Sequence, residues 1–98
     1  MAVDRDPAED KWLNRFLEHL GTARGASTYT QRNYRQALTE FAKWHQDERQ
    51  AAPHWEKLQR DDFRGYLRFL GRQNLGRSAI QLRFSALRSF YKFLIREG

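Results

Sequence analysis

The sequence predicts an all-α domain, a bundle of four helices joined by short connections. Apolar residues recur at spacings of three and four along four separate segments, which is the periodicity of a helix with one buried face. No segment alternates apolar and polar residues as a strand does, and there is no glycine-rich phosphate loop or internal repeat. A chain of 98 residues has room for one core. We therefore predict a single domain over residues 1–98, with flexible ends at 1–6 and 97–98.

The first helix has a strong start signal. Asp6 and Glu9 form a capping box around Pro7, which occupies the first helical position. Apolar residues then repeat at helical spacing until Gly21 ends the pattern. These signals predict a first helix over about residues 7–22.

The second helix is predicted to start after a cap at residue 27 or 28 and to run to about residue 46, with apolar residues again at helical spacing. Both Ser27 and Thr28 are suitable amino-terminal caps. The periodicity fails after residue 46, and we expect Trp55 and Leu58 to anchor the connecting loop to the core.

Two further helices complete the bundle, over about residues 59–72 and 77–96. Gln59 is a poor cap for the third helix, and a start at Asp61 would shorten that helix by a turn. The aromatic residues keep core spacing, which predicts packing for the four that are listed here: Trp12, Phe41, Phe63 and Phe90.

The charge of the chain points to a polyanionic partner. The formal net charge is +6, and 14 of the 18 basic residues are arginine, whose planar fork suits phosphate oxygens and guanine edges. Residues 1–58 carry nine basic and nine acidic side chains, so all of the excess lies in the last forty residues. The simpler alternative is that this excess only aids solubility.

The composition also argues against several classes of function. Without cysteine the chain has no disulfide or thiolate metal site, and His19, His45 and His54 lack metal-ligand spacing. We assign no catalytic residue, metal or cofactor. No secretory signal or membrane-length apolar run is present, so we expect a cytoplasmic protein that does not enter a membrane.

The fourth helix carries the main candidate site. Its apolar residues occupy an arc of about 200° at 100° per residue, and Arg83 lies within that arc, where its charge must reach solvent, phosphate or a buried acid. The remaining face has no acidic residue. It consists of Arg77, Ser78, Gln81, Ser85, Arg88, Ser89, Lys92 and Arg96. These side chains suit a DNA major groove, whereas the alternative is a basic face in contact with solvent.

The second helix gives weaker evidence for DNA binding. Thr28 and Thr30 place hydroxyls and free backbone N–H groups at a helix amino terminus, which can bind phosphate or merely cap the helix. Arg32 and Arg35 follow on the polar face, which Glu40 interrupts.

Two other functions fit the same patterns. The broad apolar arc of the fourth helix would also suit a helical protein-interaction module if part of it remained exposed. The basic face would also suit an RNA or an anionic membrane. Salt sensitivity and competition among duplex DNA, RNA and lipid vesicles separate these alternatives.

Residues 75–94 closely resemble the last helix of the amino-terminal domain of XerC/XerD-type tyrosine recombinases. The shared motif is Ser-Ala-Leu-Arg-Ser-Phe-Tyr at residues 85–91. Residues 27–44 are similar to the second helix of that domain, and residues 58–70 to its third. Ala79 stands where relatives usually have Thr or Ser, and Gln59 where they usually have a capping Thr.

The resemblance implies a SAM-like four-helix core-binding domain that forms half of a C-shaped clamp on duplex DNA. The other half would be a carboxy-terminal catalytic domain, whose residues are not in this chain. It implies a non-catalytic fragment of an enzyme for site-specific recombination, in DNA integration or chromosome-dimer resolution. The full-length protein would assemble with other recombinase protomers as a tetramer on DNA, whereas we expect the isolated domain to be monomeric.

By position, the resemblance implies DNA contact in the second and fourth helices. The implied residues are Thr30, Gln31, Arg32, Asn33, Arg77, Ser78, Gln81, Arg83, Ser85 and Arg88. The polar and basic faces add Thr28, Arg35 and Lys92 to the predicted site.

Overall fold

The computed structural model describes residues 10–97, which form four α-helices and one short 3₁₀ helix. The elements are α1 (Lys11–Thr22), α2 (Thr28–Arg49), the 3₁₀ helix (Trp55–Lys57), α3 (Arg60–Arg72) and α4 (Arg77–Glu97). No residue between 10 and 97 belongs to a strand. The predicted all-α, four-helix architecture is therefore confirmed.

The first helix starts later than predicted. Asp10 is extended (φ −65°, ψ 119°), and its Oδ1 accepts a hydrogen bond from the backbone N–H of Leu13 at 3.1 Å. Asp10 therefore caps a helix that begins at Lys11, and a helix from residue 7 cannot run through this extended residue. The predicted cap sequence at residues 6–9 lies outside the described residues.

The second helix ends three residues later than predicted. Ser27 caps it by accepting a hydrogen bond from the backbone N–H of Thr30 at 3.1 Å. At the other end, Gln50 adopts the left-handed conformation (φ 61°), and its N–H donates to the carbonyl of Gln46. This left-handed residue, rather than the loss of apolar periodicity after residue 46, terminates the helix.

The third helix starts at Arg60, with Gln59 as its cap residue. The weak cap is compensated by Asp62, whose Oδ2 accepts the backbone N–H of Gln59 at 2.8 Å. The other oxygen of Asp62 accepts from Nε of Arg49 at 3.2 Å, which ties the start of α3 to the end of α2. The shorter helix beginning at Asp61 is not observed.

The core is largely aromatic and centres on Phe41 of α2, which is completely buried. The Phe41 ring meets Tyr66 of α3 edge-on at 4.9 Å between centroids and stacks on Trp55 at 5.7 Å. Phe90 of α4 packs edge-on against Trp55 at 4.8 Å and tilts against Phe16 of α1 at 5.2 Å. Aromatic rings thus join all four helices. Of the predicted packing residues, Trp12 and Phe63 are only partly buried.

The segment between α2 and α3 is fixed to the core by hydrogen bonds as well as by packing. Trp55 is 3% exposed, and its Nε1 donates to Oδ2 of Asp10 at 2.7 Å. The hydroxyl of Tyr91 donates to the carbonyl of Trp55 at 2.6 Å. Leu58 is partly buried against the same core. The predicted anchoring by Trp55 and Leu58 is confirmed.

The ends of the chain are described only in part. Glu97 is the last residue of α4, while residues 1–6 and 98, which we predict to be flexible, lie outside the described range. Within residues 10–97, no helix combines the length and the apolar character that crossing a membrane requires.

Candidate nucleic-acid interface

The exposed face of α4 is set by what the helix buries on its other side. Ala86, Leu87, Phe90 and Phe93 are buried against the other helices. The opposite face therefore points away from the core over the whole length of α4. We call it the α4 basic face. It consists of Arg77, Ser78, Gln81, Ser85, Arg88, Ser89, Lys92 and Arg96.

Three of the four charged members of the α4 basic face are available to a ligand, whereas Nη2 of Arg96 lies 3.2 Å from Nε2 of His19 on α1. Arg77, Arg88 and Lys92 are exposed, and none of them forms an ion pair with a residue between 10 and 97. Gln81 is also exposed and lies between Arg77 and Arg88. Ser78 is exposed, while Ser85 is partly buried. Cations, an amide and small hydroxyls thus share one face of α4, which near its end also carries the exposed side chain of Ile95.

Arg83 lies on a different side of α4 and has a protein partner. Its Nε and Nη2 donate to Oε1 of Glu40 at 3.1 and 3.0 Å, and its Nη1 donates to the carbonyl of Ala79 at 3.0 Å. The side chain is only 17% exposed. The sequence allows solvent, phosphate or an acid as the partner of this charge, and the structure shows that the partner is an acid, Glu40. Arg83 therefore connects α4 to α2 with its charge balanced.

Glu40 joins the two helices from the α2 side. While Oε1 accepts from Arg83, Oε2 accepts from Nε2 of Gln36 at 3.0 Å. Gln36 is exposed and lies one turn before Glu40 on α2. The sequence shows Glu40 only as an interruption of a basic face, because its partner on α4 is 43 residues away along the chain.

The first turn of α2 is organised by local hydrogen bonds. The hydroxyl of Ser27 donates to Oγ1 of Thr30 at 3.1 Å, in addition to capping its backbone N–H. Nε2 of Gln31 donates to the carbonyl of Ala26 at 3.0 Å. The capping role that the sequence allows at this end of α2 is therefore present, and Ser27 performs it.

The other predicted residues of α2 line a groove between α1 and α2. Thr28, Gln31, Arg32 and Arg35 lie along one wall, and Glu18 of α1 lies on the other. Glu18 makes this groove less positive than the α4 basic face. Asn33 is partly buried. The predicted residues of α2 and α4 thus form two groups, and the Glu40–Arg83 ion pair links the helices that carry them.

Sequence reasoning missed a second basic surface, on α3. Its members are spaced four residues apart, and all are exposed. We call it the α3 arginine row. It consists of Arg60, Arg64, Arg68 and Arg72. The signal that could have revealed it is the repeat of arginine at every fourth position, which places all four on one helix face.

Two tyrosine hydroxyls are held protonated in the core. Burial raises the pKa of Tyr66 to about 12; the Glu40 carboxylate adds to this shift, and the Arg83 guanidinium opposes it. Burial also raises the pKa of Tyr91 far above its ordinary value, with contributions from Glu56 and Asp62. Tyr91 uses its proton in the hydrogen bond to Trp55, so it has a structural partner within the domain.

Comparison with known proteins identifies the family. Residues 13–98 match the family model described as phage integrase, N-terminal SAM-like domain. The tyrosine recombinase XerC of Shewanella amazonensis is 38% identical over 87 residues, which cover 89% of this chain and 28% of that protein. The tyrosine recombinase XerD of Oceanobacillus iheyensis is 35% identical over 82 residues, 84% of this chain and 27% of that protein.

A further relative has the same extent of similarity. The tyrosine recombinase XerC of Vibrio cholerae is 38% identical over 86 residues, which cover 88% of this chain and 27% of that protein. The chain thus spans little more than a quarter of the length of the curated relatives it matches. No solved structure matches it. With its four helices and these matches, the chain belongs to the phage integrase N-terminal SAM-like domain family, the amino-terminal domains of tyrosine recombinases.

Proposed function

We propose that this chain is the DNA-binding half-clamp of a site-specific tyrosine recombinase and that it grips duplex DNA with α2 and α4. The observation that carries the proposal is the α4 basic face, which is exposed, free of carboxylates and rich in groups that read base edges. A helix face exposed only to solvent usually mixes acids with bases to form i,i+4 pairs. The absence of such pairing along this face favours a polyanionic partner.

The side chains of the α4 basic face divide naturally between base edges and phosphates. The amide of Gln81 can pair with the N6 and N7 edge of adenine, and Arg88 can fork onto guanine or bridge phosphates. Ser78 and Ser85 are short enough for the helix backbone to approach the groove closely. Arg77 and Lys92, at either end, would contact the phosphates that flank the groove.

On α2, phosphate binding is the proposed role. Thr28 is exposed at the helix amino terminus, where free backbone N–H groups favour an anion. Arg32 and Arg35 extend the positive charge along the next turn, with Thr30, Gln31 and Asn33 beside them. In this proposal Arg83 positions α4 against α2 through Glu40, and any contact that it makes with DNA is secondary.

The proposed role leaves strand cleavage to another part of the enzyme. The relatives are named tyrosine recombinases and are more than three times as long as this chain. We propose that a separate catalytic domain cuts and rejoins DNA in the cytoplasm, and that several protomers, four in the full assembly, act together. The domain alone would be a monomer that binds DNA weakly, with roughly 4 to 6 phosphate contacts and a steep dependence on salt.

The test is an NMR titration of the labelled domain with a short duplex at low salt. We expect shifts to cluster on residues 28–36 and 77–92, and to weaken in Gln81→Ala, in Arg88→Ala and on addition of salt. Lys57→Ala is the matched control, because Lys57 is exposed on the 3₁₀ helix and belongs to neither group.

Other outcomes would favour the alternatives. If no shifts cluster even at low salt, the domain is not a DNA reader. Stronger competition by RNA or by anionic vesicles than by duplex DNA would move the assignment to those ligands. Binding of a protein partner without sensitivity to salt would support an interaction module, although the packing of the apolar arc of α4 in the core argues against it.

A further inference from the structure

The α3 arginine row is a second positively charged surface that the α2 and α4 interface does not include. All four of its side chains are exposed, and none forms an ion pair with a residue between 10 and 97. Asp61 is the exposed carboxylate on this helix, in its first turn, while Asp62 is occupied by Arg49 and by the backbone of Gln59. Most of the positive charge of the row is therefore not neutralised by neighbouring carboxylates.

Such a row is unfavourable for the isolated helix. Like charges at i,i+4 destabilise a helix by about 0.2–0.5 kcal/mol for each pair, and the row contains three such pairs in succession. The helix is held in place by its other face, where Tyr66 and Leu70 are buried. The packing of α3 thus keeps the four arginines close together, and a bound polyanion would reduce the repulsion between them.

We propose that the α3 arginine row is a second DNA-binding surface, which holds the phosphate backbone of duplex DNA without reading its bases. The proposal rests on the proposed function, in that the domain must bind duplex DNA at all. Arginines four residues apart advance about 6 Å along the helix axis, so the row is about 18 Å long. With one charge per 3.4 Å of axis on each strand, that length faces roughly five phosphates.

The composition of the row explains why it holds phosphates and does not read bases. Between Arg60 and Arg72 there is no serine, threonine, asparagine or glutamine that could contact a base edge. The row is bordered by Leu67, which is 48% exposed, and the aromatic residues of α3 face the core. Without an exposed ring, the surface also lacks the stacking platforms that bind single strands. The α4 basic face, by contrast, combines its cations with hydroxyls and an amide.

The experiment measures duplex binding by fluorescence anisotropy for the variant Arg64→Gln/Arg68→Gln and for a control, Lys11→Gln/Lys57→Gln. Both variants lose the same net charge, and both control residues are exposed and outside the α2, α3 and α4 surfaces. Two duplexes of unrelated sequence are used, each at several salt concentrations. Thermal melting checks that both variants fold. We expect this because glutamine removes like-charge repulsion from α3 in the row variant, and both control residues are exposed.

The row variant should bind both duplexes more weakly than the control, and by the same factor for each sequence. Loss of two phosphate contacts makes the negative slope of log K against log salt shallower by about 1.8. Between 50 and 200 mM salt the variant should therefore lose about twelvefold less affinity than the wild-type domain. A control variant with unchanged slope would show that position, and not net charge alone, is responsible.

Three results would overturn the inference. A row variant that matches the control in affinity and slope shows that the row contacts no phosphate. A loss confined to one duplex sequence shows that the row reads bases. If the wild-type domain binds neither duplex at low salt, the proposed function fails as well. If Gln81→Ala and Arg88→Ala weaken duplex binding as expected while the row variant does not, only the inference about the α3 arginine row fails.

Discussion

Asp10 shows how one side chain can stabilise two distant parts of the domain. Its Oδ1 caps α1 through Leu13, and its Oδ2 accepts the indole N–H of Trp55. The carboxylate is 4% exposed, so both hydrogen bonds are shielded from water. Hydrogen bonds to an ionised group in such a setting are roughly twice as strong as neutral ones. A local helix cap thus also fixes the segment that connects α2 and α3.

We expect Trp55→Phe to destabilise the domain more than Trp44→Phe. Both substitutions remove similar volume from a buried position, but Trp55 alone of the two donates a ring hydrogen bond to a residue between 10 and 97. Losing this hydrogen bond to a carboxylate should cost about 1.5–3 kcal/mol beyond the packing loss. Urea unfolding of the two variants measures the difference. Equal midpoints would show that the hydrogen bond contributes nothing net.

At the scale of single elements, α3 contains two glycines in contrasting surroundings. A Cβ at Gly65 would lie 3.3 Å from the Trp44 ring, so α2 and α3 approach closely at this point. A Cβ at Gly71 would meet nothing within 4 Å. One glycine therefore allows two helices to pack, while the other only adds backbone freedom to the unfolded chain.

Gly71→Ala should therefore stabilise the domain by about 0.5–1 kcal/mol, because alanine lowers the entropy of the unfolded chain and strains nothing in α3. Gly65→Ala should gain less or lose stability, since the Trp44 ring must shift. The two variants differ only in position, so their unfolding midpoints can be compared directly. A larger gain at Gly65 than at Gly71 would contradict the close packing of α3 on Trp44.

The ends of the elements show where sequence signals stop being sufficient. Apolar periodicity was enough to predict all four helices, because each buries one face in a shared core. It could not predict that α1 starts at Lys11 or that α2 continues to Arg49. Those ends depend on Asp10 and Gln50, whose conformations are set by a tertiary contact and by a left-handed turn.

At the scale of the whole molecule, the core resists the ionisation of tyrosine. The pKa of Tyr66 is about 12 and that of Tyr91 is also raised, so the folded protein holds both protons more tightly than the unfolded chain. Their contribution to stability is complete below the ordinary tyrosine pKa of about 10 and is lost as the pH rises through the folded-state values. Alkaline conditions should therefore destabilise the domain.

Tyr66→Phe should reduce this alkaline loss at little cost near neutral pH, because the buried Tyr66 hydroxyl has no hydrogen-bond partner within residues 10–97. Tyr91→Phe should already cost about 0.5–1.5 kcal/mol near neutral pH, since it removes the bond to the Trp55 carbonyl. Melting temperatures from about pH 7 to about pH 12 measure both effects. A Tyr66→Phe curve parallel to wild type would contradict the raised pKa.

The candidate site was predictable in part, for physical reasons. The exposure of Arg77, Gln81 and Arg88 followed from helical periodicity alone. The pairing of Arg83 with Glu40 could not be predicted, because it depends on how α2 and α4 cross. The α3 arginine row is visible in the sequence, but its lack of partners is a tertiary property. Which of these residues contact DNA remains a prediction, and the proposed titrations test it.

The hydrogen bond between Asp10 and Trp55 also bears on the order of folding. It joins residues 45 positions apart, so it forms only after a long stretch of chain has lost its freedom. Helical contacts within α2, α3 and α4 are local and can form early. The cap that Asp10 provides to Leu13 is local, but the second hydrogen bond of Asp10 can form only when the Trp55 segment has docked. The start of the helix that comes first in the chain is therefore expected to be fixed in place late in folding.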